Sequence, residues 1–255
     1  MNDHIKAEDE NISKSAGSIA ITQNSKILAA FAIACTLIVG LVNELTKDKI
    51  KAQEQLQLQN TLHSIISPER YNNNITYDCI EMSSAQLGST DIQRGYVARL
   101  DGKVQAVAIT TIAPDGYNGN INLIVAVNMD ASVSGVRVLS HQETPGLGDK
   151  IELRKSDWIT SFSGKSLLSE TDSRWAVAKD NGMFDQFTGA TITPRAVVKA
   201  VKNTVHYFNT NKESLLTRPN ACNGVVENIS EDSSKDINLE ISDKESTPQQ
   251  EKSNG

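Results

Sequence analysis

The chain has 255 residues, room for one good-sized domain plus extras. Three cysteines are too few for a disulfide scaffold, and 5% aromatic residues with no basic patch argue against a nucleic-acid binder that stacks on bases. Net charge is −6, and most of it comes from the segment after Gly224, which holds eight acidic and three basic residues.

Residues 1–26 are polar and mixed in charge and read as a short disordered tail. Ile27 to Val42 is continuously apolar or small. A bilayer-spanning helix needs about 20 such residues, a length reached by counting on to Leu45 with Lys26 and Lys47 extended outward. An all-apolar helix beside a polar terminus has nothing to pack against in a soluble domain. The flank Asn43-Glu44-Leu45-Thr46-Lys47 lacks a small-x-small cleavage pattern, so 27–45 reads as an uncleaved transmembrane anchor. Lys6, Lys14 and Lys26 on one side balance Lys47, Lys49 and Lys51 on the other, so basic residues give no orientation. Residues 46–66 continue as a Gln- and Leu-rich stalk helix that ends before Pro68.

Short β-type runs follow at 95–100, 104–112, 121–127 and 133–139, separated by the turn signals Asp101-Gly102, Asp115-Gly116 and Asn118-Gly119. A short helix is expected at 156–162 with Ser156 as its cap, another strand at 175–178, and a long amphipathic helix from Pro194 to Phe208. The fold class is α+β: a twisted, mainly antiparallel sheet with packed helices over 67–222. Residues 223–255 read as a disordered acidic tail. Cys79 and Cys222 lie near the two ends of the soluble domain; a bridge between them and a pair of free thiols are both open.

Two stretches carry candidate chemistry. The first is Asp185-Gln186-Phe187-Thr188-Gly189-Ala190-Thr191, followed by Ile192-Thr193-Pro194. Thr193 is a suitable N-cap and Pro194 suits the first helical position, which puts Thr191 just ahead of a helix N-terminus. Unpaired N–H groups there favour a phosphate, and small Gly189 and Ala190 allow a bulky anion close to the backbone. The second is His141-Gln142-Glu143-Thr144-Pro145-Gly146-Leu147-Gly148-Asp149-Lys150. Its proline and two glycines make a rigid loop, poor in side chains, suited to a flat ring edge, and Leu147 could pack on a ring face. Alone, either stretch reads equally as an ordinary helix start or turn. Trp158 and Trp175 could stack on a ring or fill a core. The four histidines and three cysteines show no spacing for a metal or an iron–sulfur cluster.

The first stretch resembles the flavinylation motif Asp-x-x-(Ser/Thr)-Gly-Ala-Thr, and the second resembles the other signature of the same FMN-binding domain. Together with Pro68-Glu69-Arg70-Tyr71-Asn72, Ala113-Pro114-Asp115-Gly116-Tyr117 and Ser156-Asp157-Trp158-Ile159, they make the chain similar to the G subunit (RnfG/RsxG) of the Rnf/Rsx ion-translocating electron-transport complex. The resemblance implies FMN joined covalently to Thr191 by a phosphoester. A separate magnesium-dependent flavin transferase would attach it, with Asp185 in the recognition site. It also implies cofactor-binding roles for Thr188, Gly189, Ala190, Thr193, Glu143, Thr144, Gly146, Leu147 and Gly148. It further implies an electron-relaying component of the bacterial inner membrane, with membrane and iron–sulfur subunits as partners. Residues 1–26 would be cytoplasmic and the FMN-binding domain periplasmic. Alternatives are the C subunit of a sodium-translocating NADH:quinone reductase, favoured less by Ile-Thr-Pro-Arg-Ala-Val-Val after Thr191, and a noncatalytic periplasmic module of the same fold.

Overall fold

The computed structural model describes residues 2–222, with side chains from residue 24. The expected acidic tail lies outside the described residues. The chain divides into two units, residues 1–57 and the part from Leu58 onward.

Helix α1 spans Asn2–Ile65, so the backbone before Lys26 is helical where the sequence suggests a disordered tail. Its apolar stretch is long and hydrophobic enough to cross a membrane, with mean hydropathy 2.2 over the best window and none of that window buried by the protein. Phe31 and Leu28 are each 71% exposed, as expected of side chains that would meet lipid.

The second unit is built on five strands: β1 Cys79–Ser84, β2 Ser89–Leu100, β3 Lys103–Gly116, β4 Gly119–Asn128 and β5 Val133–Ser140. They form one antiparallel meander in sequence order. Strand β1 is absent from the sequence reading. Its Ile80 and Met82 are buried while Glu81 and Ser83 face out, but the alternation is too short to stand out. Residues 175–178 do not form the expected strand: Val177 makes only an isolated bridge to Phe184.

Alternation buries both faces of the sheet. Val107, Ile109, Leu123 and Val125 face the main core, which also receives helix α2, Ile192–Leu216. Val197, Val201, Val205 and Phe208 repeat at helical spacing along the buried side of α2. Ala106, Ala108 and Ala126 line the other face, where small side chains admit the end of α1 through Leu62, Ile65 and Ile66. A Cβ on Gly135 would lie 3.0 Å from the Ile65 Cα, so the helix rests directly on the strand. The last carbonyls of α1 are satisfied there: Ser134 donates to Ile65 O at 2.7 Å and Arg137 to Ser64 O at 2.9 Å.

Cys79 and Cys222 form a disulfide with a Cα–Cα distance of 5.4 Å. Asn220 reinforces the closure by accepting from Cys79 N–H at 3.2 Å and donating to Tyr77 O at 2.8 Å.

Candidate functional site

The long segment between β5 and α2 has little regular structure, so aromatic packing holds it. Ser156 caps the 3₁₀ turn Asp157–Phe162 by accepting from Trp158 N–H, as expected. Trp158 meets Phe187 edge-on at 5.1 Å, and its indole N–H donates to the Asp185 carbonyl at 2.8 Å. Trp175 and Phe162 pack on Phe184, the residue before Asp185, and Phe162 also meets Trp158 at 5.4 Å. Both tryptophans are therefore core residues, and Trp158 anchors the start of the first motif.

Phe187 to Ala190 makes a tight turn closed by Ala190 N–H to Phe187 O at 3.2 Å. Gly189 takes φ +82° at its third position, a conformation that favours glycine. Helix α2 starts immediately after, at Ile192. The cap position is Thr191 and not Thr193, and Pro194 is third in the helix and not first. Thr191 is half-buried, in helical backbone geometry, and its side chain makes no capping bond. The first-turn N–H groups of Ile192 and Thr193 have no acceptor within the helix.

Thr193 has a different partner. Its hydroxyl donates to Glu143 Oε2 in the second motif. Glu143 is 4% exposed, and its other oxygen accepts from Asn118 N–H at 3.0 Å. The backbone N–H of Glu143 donates to His141 Nδ1 at 3.0 Å, while His141 Nε2 meets Glu152 Oε1 at 2.8 Å. Glu143 thus ties the β3–β4 turn, its own loop and the first turn of α2 together. Room for its carboxylate comes from glycine: a Cβ on Gly148 or on Gly116 would sit 2.9 Å from a Glu143 oxygen.

The two motifs enclose one cavity of about 270 Å³. Gly189, Ala190 and Thr191 line it from the first motif, Thr193 from the start of α2, and Glu143, Thr144, Leu147 and Gly148 from the second. A Cβ on Gly189 would lie 3.6 Å from Leu147 Cδ2, so the two motifs come close together there. Three of the expected residues stand apart. Asp185, Thr188 and Gly146 are exposed and do not line the cavity. Gly146 serves the turn through φ +78°, closed by Leu147 N–H to Thr144 O at 3.2 Å.

Tyr117 and Ile192 line the cavity and are missing from the sequence-based set. Both were within reach, since Tyr117 ends one of the supporting stretches and Ile192 adjoins Thr191. With Leu147 they form an apolar rim, 64%, 47% and 42% exposed respectively. Glu143 is the only carboxylate among the lining residues, and no lysine, arginine or histidine joins it. Cations nearby on α2 are paired elsewhere: Arg195 with Asp180 at 2.5 Å, and Lys199 with Asp115 at 2.6 Å. Arg195 holds the Asp180 carboxyl below its ordinary range.

The features fit a flavin mononucleotide. Thr191 lines the cavity with no capping bond from its side chain, the helix start supplies N–H groups, and apolar side chains ring the mouth. The volume suits part of a ring system, because whole-ligand pockets run to about 300–1,000 Å³.

Residues 116–206 match the family described as FMN-binding domain, and residues 12–65 match RnfG N-terminal region. The chain is 53% identical over 204 residues to a protein of Shewanella piezotolerans named as the G subunit of an ion-translocating oxidoreductase complex, covering 80% of this chain and 96% of that one. Proteins of the same name from Vibrio atlanticus and Vibrio vulnificus are 51% and 50% identical. Those alignments cover 80% and 82% of this chain and 98% and 99% of the relatives.

Proposed function

This chain belongs to the RnfG family, the G subunits of ion-translocating oxidoreductase complexes, and we propose that it carries FMN covalently on Thr191 and relays electrons between other subunits. The observation that carries the proposal is the convergence of both motifs on one cavity, with Thr191 among its lining residues and its side chain uncommitted to helix capping.

When bound, FMN supplies electron transfer at its ring. The chain's own groups do the rest. N–H groups at the start of α2 and the positive end of its dipole favour the phosphate. Among the described residues no basic side chain lines the cavity to retain a freely dissociating phosphate, which favours a covalent tether. Tyr117, Leu147 and Ile192, each partly exposed, would offer apolar contact to the ring. The exposure of Asp185 and Thr188 on the first motif supports recognition by a magnesium-dependent flavin transferase rather than a role in holding the ring.

The apolar part of α1 would anchor the protein in the inner membrane. The Cys79–Cys222 disulfide supports an oxidising, periplasmic location for the domain. Membrane and iron–sulfur subunits of the same complex would be the electron partners.

Co-expression with a flavin transferase tests the reading. The protein should gain the mass of FMN less water and fluoresce after denaturing electrophoresis, with the label on the peptide containing Thr191. A label on another residue, or none, would refute it. A reporter fused near Asn220 that works only in the cytoplasm would refute the orientation.

A further inference from the structure

We propose that the Glu143 carboxylate is a fixed negative charge that lowers the reduction potential of a flavin held in this cavity. The proposal rests on the reading that FMN sits there, and assigns to Glu143 a role separate from attachment.

Three observations carry it. Glu143 is buried and lines the cavity, so its charge acts through a region poor in water. Its two oxygens accept from Thr193 O–H and Asn118 N–H, an arrangement that suits an ionised, acceptor-only carboxylate. No cationic side chain among the lining residues offsets the charge. The surroundings are tight, since a Cβ on Gly116 or Gly148 would lie 2.9 Å from a Glu143 oxygen, although Gly119 O and Thr193 Oγ1 would lie nearer still.

The sign follows from charge balance. Taking up two electrons with one proton leaves the reduced ring one unit more negative than the oxidised ring. A fixed carboxylate nearby opposes that change and favours the oxidised form.

Glu143 also joins three segments, so charge must be separated from structure. Glu143→Gln keeps the length and removes the charge. Glu143→Asp keeps the charge and loses the reach. Full-length proteins co-expressed with a flavin transferase would be titrated at an electrode while the flavin absorbance is followed, with melting temperature measured alongside. A more positive midpoint in Glu143→Gln, and a smaller change in Glu143→Asp, supports the proposal. A Gln variant at the parent's midpoint overturns it, as does an Asp variant shifted as far as or further than Gln. If the Gln variant does not accumulate, Glu143→Asn is compared with Glu143→Asp, which has the same size and keeps the charge: a more positive midpoint in Asn than in Asp supports the charge role, and equal midpoints overturn it. A parent protein without covalent flavin is seen on the gel before any titration, and overturns the underlying site reading instead.

Discussion

Thr193 donates its hydroxyl to Glu143, fifty residues earlier in the chain, while Thr191 two residues before it keeps its hydroxyl clear of any capping bond. Two threonines that look interchangeable in sequence therefore have different work. Thr191→Ala should abolish the flavin fluorescence that survives denaturing electrophoresis with little change in stability. Thr193→Val should keep the fluorescence and destabilise the fold. A buried acceptor left short of a donor costs about 1–3 kcal/mol, which denaturant titration resolves. Fluorescence retained in Thr191→Ala would refute the assignment.

The two glycines of the second motif should behave differently. A Cβ on Gly148 would lie 2.8 Å from Thr193 Oγ1 and 2.9 Å from Glu143. Gly148→Val should therefore break the Glu143–Thr193 bond and lower the melting temperature, and flavin loading should fall with it. Gly146 faces open space, with only its positive φ to resist a side chain. Gly146→Ala should cost roughly 1 kcal/mol from that backbone strain and leave loading intact. Equal melting temperatures for Gly148→Val and the parent would show that the loop repacks.

Replacing both disulfide cysteines by serine should lower stability by about 2–5 kcal/mol, chiefly by freeing the unfolded chain. Asn220 and the Ala221 N–H to Cys79 O bond at 2.8 Å still hold the closing segment in the folded state. The flavin spectrum should therefore match the parent below the melting transition. A changed spectrum would mean that the bridge also shapes the cavity.

Glu152 accepts from Arg154 and bonds His141, and these contacts lower its pKa to about 2. A carboxyl whose pKa is lower when folded stabilises the protein above its unfolded value of about 4.3. That contribution is lost as pH falls through the folded value. Glu152→Gln should melt below the parent at pH 6, and the two should converge as pH drops from about 4.3 toward 2. Parallel curves over that window would refute a stabilising role.

The segment after Gly224 holds eight acidic and three basic residues and few apolar ones. Truncation there should leave melting temperature and flavin loading unchanged. A clear loss of either would show that the tail packs on the domain.

The sequence by itself determined what local chemistry and periodicity encode. An unbroken apolar run marked the membrane-length helix, because its length and uniform hydrophobicity need no tertiary context. Turn dipeptides and alternation located four of the five strands. The two motifs marked Thr191 and the Glu143–Gly148 loop by residue type and order. The tertiary structure decided what depends on distant partners. Thr193 passes for a cap by propensity, yet a buried carboxylate from another loop claims its hydroxyl and the helix starts earlier, at Ile192. Gly148 lines the cavity, and only the packed structure shows that its missing side chain also makes room for Glu143 and Thr193. Tyr117 joins the cavity only because the β3–β4 turn lies beside the loop that Glu143 pins. Cys79 and Cys222 could be paired only once β1 and the returning end of the chain were seen side by side. A single sequence records propensities, whereas a hydrogen bond across fifty residues or a bridge across 143 is a property of the packed chain.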